Sequence, residues 1–151
     1  MEKFKSANEI LDFAMQSEQE AVDFYKLLAS QVKNPEIKET FLQLAREEVS
    51  HKARLQKIKE EGVFEMTEEH ISDLKVADYV VKVKPSPDMD YADALVLAMK
   101  KEKAAFNLYT SLEQRTDNPE LKKIFHSLAI EESKHKLRFE KEYDDFVMRN
   151  N

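Results

Sequence analysis

The chain has 151 residues, of which 36% are charged and 42% are hydrophobic, with one Gly, no Trp and no Cys. This length suits a single domain, and the composition is typical of a strongly helical protein and unlike that of a sheet-rich one. The formal charge of −6, with basic residues interspersed among acidic ones, argues against a nucleic-acid partner, and the lack of Cys excludes disulfides and Cys-ligated metal centres.

The first predicted element is a helical hairpin over about residues 6–62. Its first helix begins near Ser6, which opens a capping-box pattern, and ends shortly before Asn34. Asn34 followed by Pro35 is typical of a helix start, and Gly62 supplies the end of the second helix. The very short turn between the two helices predicts that they are antiparallel.

A long connection over residues 62–91 follows, with a short helix predicted after Thr67 and an apolar run over residues 79–83. The second helix is about 40 Å long, and an extended segment of this length can span that distance. We therefore expect the connection to cross from one end of the bundle to the other, which makes the second and third helices parallel. A flexible, disordered loop is the alternative, and the apolar run argues against it.

A second helical hairpin is predicted over about residues 91–149. Its third helix runs from near Asp90 to a point before Asp117, and Asn118 with Pro119 starts the fourth helix, which ends near Met148. The expected fold is an all-α, antiparallel four-helix bundle made of two hairpins and one long crossover, forming a single domain over residues 1–151.

The two hairpins repeat one sequence pattern. Residues 11–54 and 95–138 align without a gap at a displacement of 84 positions, and about 19 of the 44 aligned pairs are identical. An internal duplication is the natural interpretation of this match.

Each predicted helix has an inward-facing stripe of apolar residues, which we call its seam. Ionisable residues occupy positions in these seams where hydrophobic residues belong. The first and third helices each carry one such glutamate, and the second and fourth each carry a Glu-x-x-His pair. The six residues are Glu18, Glu48, His51, Glu102, Glu132 and His135. Burying four carboxylates in a bundle core costs several kcal/mol each unless cations compensate them, and two divalent metals would balance their charge. The pattern therefore predicts a two-metal site.

The spacing also predicts which ligand serves which metal. Residues at i and i+3 share one helix face, so each Glu-x-x-His pair can bind the same metal cluster. In a symmetric arrangement one metal has Glu18 and His51 as terminal ligands, the other has Glu102 and His135, and Glu48 and Glu132 bridge. Carboxylate and imidazole donors suit iron or manganese, with zinc as an adventitious occupant.

The competing interpretation is a structural or interaction bundle with a charged core, in which the seam glutamates reach solvent and the histidines are hydrogen-bonded core residues. One Glu-x-x-His pair would carry no weight, but two pairs in register favour the metal site. We expect surface roles for Glu47 and Glu131, which lie off the seam, and solvated positions for His70 and His126.

Two tyrosines, Tyr25 and Tyr109, follow the seam glutamates by two helical turns. Core packing is one interpretation of these residues. The other is a phenol that hydrogen-bonds a ligand carboxylate or donates an electron.

The linked motifs, Glu-x-x-Ala-x-x-x-Tyr from Glu18 and Glu102 and Leu-Ala-x-Glu-Glu-x-x-His from Leu44 and Leu128, resemble the ferritin-like superfamily, and most closely its rubrerythrin-type di-iron domain. Rubrerythrins are di-iron proteins that reduce peroxide, whereas ferritins and bacterioferritins oxidise ferrous iron and store it. Rubrerythrins usually carry a further glutamate at the place of Ala105, so the six-ligand set is more similar to the symmetric bacterioferritin site. A rubredoxin domain is also missing.

The resemblance implies a non-haem di-iron or di-manganese oxidoreductase, of peroxidase or ferroxidase type, that binds two iron ions. It would reduce peroxide or oxygen with electrons from an external donor such as a rubredoxin-like protein. A ferrous-iron oxidase or iron-handling protein is the alternative. The sequence has neither a signal-peptide pattern nor the roughly 20 apolar residues that cross a bilayer, so we expect a cytoplasmic protein without a membrane partner, able to form a homodimer.

Overall fold

The computed structural model describes residues 3–150 and contains four long helices. They are α1 (Ala7–Gln31), α2 (Pro35–Glu61), α4 (Tyr91–Arg115) and α5 (Pro119–Arg149), with the short helix α3 (Glu68–Asp73) between the two pairs. No strand occurs in the described residues, where the one bridge pairs Lys3 with Lys75. The all-α fold that the sequence predicts is therefore confirmed.

The ends of the helices depend on the side chains that the sequence indicates. The Ser6 hydroxyl accepts a hydrogen bond from the Glu9 amide, and the side chains of Asn34 and Asn118 each accept two amide hydrogen bonds in the first turns of α2 and α5. Gly62 ends α2 with φ of +65°, in the left-handed region that glycine adopts without strain. These contacts satisfy backbone groups that each helix end would otherwise leave unpaired.

Cross-helix contacts fix the directions of the helices. Lys59 near the end of α2 pairs with Asp12 near the start of α1 at 2.6 Å, so α1 and α2 are antiparallel. Tyr25 contacts Glu102 and Tyr109 contacts Glu18, so α1 and α4 are antiparallel as well. It follows that α2 and α4 are parallel, which is the arrangement that the long crossover predicts.

The crossover runs along α4 and α1 between its two ends. A 3-10 turn over Val76–Asp78 follows α3, and the Tyr79 hydroxyl then donates to Ser111 in α4 at 2.9 Å. Farther along, the Gln31 side chain at the end of α1 donates to the Pro87 carbonyl at 2.9 Å. The segment is therefore held at both ends of the bundle, as its apolar run indicates.

The core consists of two apolar clusters that lie toward opposite ends of the bundle. One contains Leu11, Leu55 and Leu112, and the other contains Leu28 and Leu95. The glutamates and histidines of the seams lie between these clusters, where water is excluded from both sides. No helix in the described part of the chain is both long and apolar enough to cross a membrane.

Candidate metal centre

All six predicted ligands are buried together in the bundle core. Their side chains are between 0 and 2% exposed: Glu18, Glu48, His51, Glu102, Glu132 and His135. The interpretation in which the seam glutamates reach solvent is therefore wrong, because all four carboxylates point inward. Each hairpin contributes two glutamates and one histidine, so neither hairpin forms the cluster alone.

The cluster divides into two overlapping groups of four residues. Glu18, Glu48, His51 and Glu132 offer donor atoms within 4.8 Å of one another, and so do Glu48, Glu102, Glu132 and His135. The groups share Glu48 and Glu132. This matches the predicted scheme, in which these two carboxylates bridge and each remaining glutamate and histidine serves one metal.

The donor separations fit a metal ion at the centre of each group. Nδ1 of His51 lies 3.1–3.4 Å from oxygens of Glu18, Glu48 and Glu132, and Nδ1 of His135 has three glutamate oxygens at 3.1–3.3 Å. Bonds of about 2.1 Å to a metal place neighbouring donors in an octahedron about 3 Å apart. Six of these donor atoms are buried without a hydrogen-bond partner. The residues therefore fit a pair of metal ions, and metal binding by the six side chains stays a prediction.

Glu47 and Glu131 hold the outer nitrogens of the histidines. Nε2 of His51 lies 3.0 Å from Glu131, and Nε2 of His135 lies 2.9 Å from Glu47. When Nε2–H donates to a carboxylate, Nδ1 keeps a free lone pair that faces the metal position. The expectation of simple surface roles for both residues is wrong, since each is only about a third exposed and orients a predicted ligand.

The two orienting carboxylates differ in their own partners. Two hydrogen bonds from the Arg54 guanidinium, at 3.0 and 3.2 Å, and one from the Ser127 hydroxyl reach Glu131. Glu47 accepts a hydrogen bond from Gln43 at 3.2 Å. Burial would raise the pKa of Glu131, but hydrogen bonds, that of Arg54 foremost, outweigh it and lower the pKa to about 2. Glu131 is therefore a firmly ionised partner for His51.

The tyrosines connect the two hairpins through the ligand carboxylates. The Tyr25 hydroxyl in α1 donates to Glu102 in α4, and the Tyr109 hydroxyl in α4 donates to Glu18 in α1 at 2.5 Å. Both rings are buried, so the tyrosines pack in the core and also hydrogen-bond the predicted ligands. Tyr25 bonds Oε1 of Glu102 and leaves Oε2, which faces His135, free. Tyr109 bonds Oε2 of Glu18, the oxygen that lies 3.4 Å from Nδ1 of His51.

Burial and mutual repulsion disfavour ionised carboxylates in the cluster. Burial, followed by the charge of Glu48, raises the pKa of Glu18 to about 8. The pKa of Glu102 is raised well above its usual range, first by burial and then by the charges of Glu132 and Glu48. A bound cation would remove this penalty, so metal ions and protons compete for the same oxygens.

The histidines respond to the same carboxylates in the opposite sense. Burial lowers the pKa of His51, but the nearby carboxylates of Glu132, Glu18 and Glu48 outweigh burial and leave the pKa well above its ordinary value. His135 behaves in the same way, with Glu102 as the first of its carboxylate neighbours. For the side chains alone, protonated imidazoles partly offset the negative charge that two metals would balance.

A cavity of about 540 Å³ opens beside the cluster, between α1, α4 and the crossover. Oxygen-bearing residues of the metal centre lie on its wall: Glu18, Glu48, Glu102 and Glu132. Ala21 and Ala105, the corresponding seam residues of α1 and α4, also line it; Ala21 is buried and Ala105 is half-buried. The cavity gives small molecules a route to the carboxylates from one face of the bundle.

The other two histidines lie away from the cluster. His126 is exposed and contacts Glu113 at 3.1 Å, so the prediction of a solvated position is confirmed. His70 is half-buried, and its Nδ1 lies 3.1 Å from the Arg115 carbonyl at the end of α4. The expectation of solvation is wrong for His70, because this residue attaches the crossover to the bundle.

Comparisons with known proteins identify the family and the fold. The Rubrerythrin family model matches residues 9–89 and 93–151. A Thermotoga maritima structure, proposed to be a ferritin-like diiron-carboxylate protein, aligns with a TM-score of 0.75 and 22% identity over 95% of this chain and 98% of that one. A hypothetical protein from Pyrococcus furiosus aligns with a TM-score of 0.70 and 28% identity over 89% of this chain and 86% of that one. The comparison with curated proteins gave no match.

Proposed function

The chain belongs to the rubrerythrin family, and we propose that it is a di-iron oxidoreductase that reduces peroxide or oxygen with electrons from another protein. One observation carries the proposal: two groups of four buried donors share Glu48 and Glu132. Such a site brings two redox-active metals close enough to act on one small oxidant. Carboxylate and imidazole donors suit iron, and manganese is the other metal that they favour.

The side chains around the site have defined roles in this proposal. When held by the six side chains, two ferrous ions would supply the two electrons that reduce hydrogen peroxide to two water molecules, with the uptake of two protons. Tyr25 and Tyr109 hold the terminal carboxylates, while Glu47 and Glu131 hold the histidines. The apolar clusters at either end exclude bulk water, so the ligands stay ordered through repeated turnover.

The electron donor is proposed to be a separate protein, such as a rubredoxin-like one. The sequence has no Cys, so it cannot build a Cys-ligated iron centre of its own to pass electrons to the site.

We also interpret the repeated hairpins as an internal duplication, since residues of one hairpin have their counterparts at the same places in the other.

A ferrous-iron oxidase is the second candidate function, and the symmetric set of six ligands favours it. Ala105 stands where a seventh carboxylate is usual in rubrerythrins, so the two metal positions have matching ligands. Such a protein would oxidise ferrous iron and pass it on. The two candidates differ in whether iron stays at two ions per chain.

Anaerobic titration of the metal-free protein with ferrous iron separates these functions. For the oxidoreductase we expect binding to stop at two ions per chain, and one hydrogen peroxide per pair to produce the ferric absorption. Reduction by an added donor should then restore the ferrous state for many cycles. Iron uptake well beyond two ions on exposure to oxygen would favour the iron-handling function, and no ferric signal with either oxidant would exclude both.

Glu48→Gln is the informative variant, because it removes charge from a carboxylate shared by both groups. We expect it to bind less than two ions per chain and to lose most peroxide consumption. The matched control is Glu60→Gln, which changes the same charge at an exposed position of the same helix. Equal iron content in Glu48→Gln and Glu60→Gln would contradict the proposal.

A further inference from the structure

The cavity beside the cluster is much larger than peroxide or oxygen requires. Its volume is about 540 Å³, whereas a molecule the size of water occupies about 30 Å³ in the liquid. Cavities of roughly 300–1,000 Å³ are typical of sites for small organic molecules. An access route for hydrogen peroxide alone would not need this space.

Apolar side chains line most of the cavity. Aromatic and aliphatic groups come from three elements, with Phe13, Phe24 and Leu27 on α1, Leu108 on α4, and Val81 on the crossover. Small residues at one helical turn beyond the ligand glutamates, Ala21 and Ala105, leave the space open beside the carboxylates. An occupant with an apolar body could therefore lie directly against the metal centre.

Two lysines, Lys84 and Lys101, stand apart from the apolar lining, and Lys84 on the crossover is exposed. Lys101 is half-buried, its Nζ lies 6.0 Å from the centroid of the Phe24 ring, and it forms no salt bridge within the described part of the chain. An anionic group that entered the cavity would give this ammonium group a close partner.

The acidic residues at the rim do not fill that role. Glu20 and Asp23 also line the cavity, but both are exposed and both accept hydrogen bonds from α1 glutamines, at 3.2 Å from Gln16 and 2.9 Å from Gln19. They would repel an anion at the α1 edge and favour the lysines, of which Lys101, on α4, is half-buried and Lys84 is exposed. The charge pattern thus favours one orientation of an anionic occupant.

From this geometry we infer that the cavity binds an organic hydroperoxide with an apolar body and a carboxylate group, which pairs with Lys101 while the hydroperoxide reaches the metal centre. The inference rests on the proposed function and names its substrate class. Cleavage of the O–O bond would take up two protons and two electrons, which a bound pair of ferrous ions would supply, and the products would be the alcohol and one water molecule.

The crossover forms the outer wall of this site. Residues 79–85 cover the cavity, and no backbone hydrogen bond is found for Val80, Val83 or Pro85 in the described structure. The anchors lie at either side, in the bonds of Tyr79 to Ser111 and of Gln31 to Pro87. An occupant could therefore enter by displacing a short span without breaking the helices.

Binding is tested with decanoate, an unreactive carboxylate, and protein loaded with zinc, which has no redox chemistry. Calorimetric titration should show saturable binding of one decanoate per chain. Lys101→Met should weaken decanoate binding about tenfold or more and leave binding of 1-decanol unchanged, because only the acid pairs with the ammonium group. Lys103→Met, an exposed position on the same helix, is the charge-matched control.

A second variant fills the cavity without changing charge. Ala105→Leu should weaken both decanoate and 1-decanol, whereas Ala53→Leu at an exposed position of α2 should change neither. Circular dichroism and zinc content show that the variants fold and keep the metal centre. No saturable binding of decanoate, or equal decanoate binding by Lys101→Met and the unaltered chain, would overturn the inference.

Oxidation of the ferrous protein by two different peroxides distinguishes failure of this inference from failure of the proposed function. Ferrous protein should be oxidised by a ten-carbon hydroperoxy acid, and decanoate should slow that oxidation more than oxidation by hydrogen peroxide. Oxidation by hydrogen peroxide alone would remove the substrate class and keep the proposed function. Oxidation by neither peroxide would overturn the proposed function, even where zinc-loaded protein binds decanoate.

Discussion

Two carboxylates outside the predicted ligand set, Glu47 and Glu131, orient the histidines of the predicted metal centre. Glu131 contacts the outer nitrogen of His51 and is itself held by Arg54, and Glu47 contacts His135 in the corresponding position. A hydrogen bond to the outer nitrogen fixes the tautomer and the ring orientation that a metal requires. These two carboxylates therefore belong to the predicted metal centre, although neither faces the predicted metal positions.

Glu131→Gln tests this support. The amide keeps the shape of the side chain but accepts a weaker hydrogen bond from the imidazole, so metal affinity should fall about 10- to 100-fold. Competition with a chromophoric chelator under anaerobic conditions measures the change. Glu60→Gln should retain the original affinity, and unchanged affinity in Glu131→Gln would show that the contact with His51 has no orienting role.

The titration of the buried cluster predicts how stability depends on pH. The pKa of Glu18 is about 8 in the fold against an ordinary value of 4.5, and that of His51 is also raised. Groups with raised pKa values stabilise the fold fully below their unfolded pKa, and that contribution is lost as the pH rises through the folded pKa. Metal-free protein should therefore unfold at lower temperature at about pH 8 than at about pH 6.

Zinc-loaded protein should respond to pH in the opposite direction, because metal ions displace the protons of the cluster and bind more tightly as those protons become easier to remove. Thermal unfolding of chelated and zinc-loaded samples over the same pH range measures both trends. A midpoint of the chelated sample that rises from about pH 6 to about pH 8 would contradict the assigned protonation of the cluster.

At the scale of helices, capping residues and the repeated seams predict much of the fold. Asn34, Asn118 and Gly62 mark helix ends in the sequence and perform those tasks in the structure. Local signals suffice here because Asn34 and Asn118 accept hydrogen bonds from amides in the first turn of their own helix, and the Gly62 amide donates to carbonyls in the last turn of α2. The crossover was less predictable: its 3-10 turn and the contact of His70 with α4 depend on distant residues.

Gly62→Ala tests the end of α2. With φ of +65° the alanine would adopt a strained backbone, and no atom lies within 4 Å of the added Cβ, so the cost comes from the backbone alone. The free energy of unfolding should fall by about 1 kcal/mol, while Gly62→Asn should lose less because asparagine tolerates this conformation. Urea denaturation measures both, and equal stability of Gly62→Ala and the unaltered chain would contradict this assignment.

The site shows the same contrast between residues that a sequence pattern predicts and residues that act through distant contacts. The six seam residues could be predicted because two Glu-x-x-His pairs lie in register within a repeat. Glu47 and Glu131 were missed, since their side chains act across the bundle on a histidine of the other hairpin. The doubled glutamate before each histidine was the available signal. The cavity could not be predicted either, because its volume depends on how far α4 and the crossover stand from α1.

For the whole molecule, the buried cluster lies where the two hairpins pack against each other, between two apolar clusters to which both hairpins contribute. Contacts within the hairpins, α1 with α2 and α4 with α5, dominate the packing, and the cross-hairpin polar contacts converge on the cluster. Four carboxylates and two divalent metals carry no net charge together, whereas removal of the metals leaves buried groups that repel one another. Metal binding should therefore stabilise the assembled bundle and not only one helix pair.

Chelation should lower the thermal stability of the whole bundle in one cooperative step. A metal present at about 100 times its dissociation constant stabilises the fold by about 2.7 kcal/mol, which corresponds to several degrees in Tm for a domain of this size. Differential scanning calorimetry measures the difference between chelated and loaded protein. Glu48→Gln should lose most of the metal-dependent increase, and an unchanged Tm on loading the original chain would indicate a structural bundle.

Anomalous scattering at the iron edge, from crystals loaded anaerobically with ferrous iron, gives the most direct test of the two-metal centre. We expect two peaks per chain, one beside His51 and Glu18 and the other beside His135 and Glu102, with Glu48 and Glu132 contacting both. A single peak, or iron bound only outside these six side chains, would contradict the assignment.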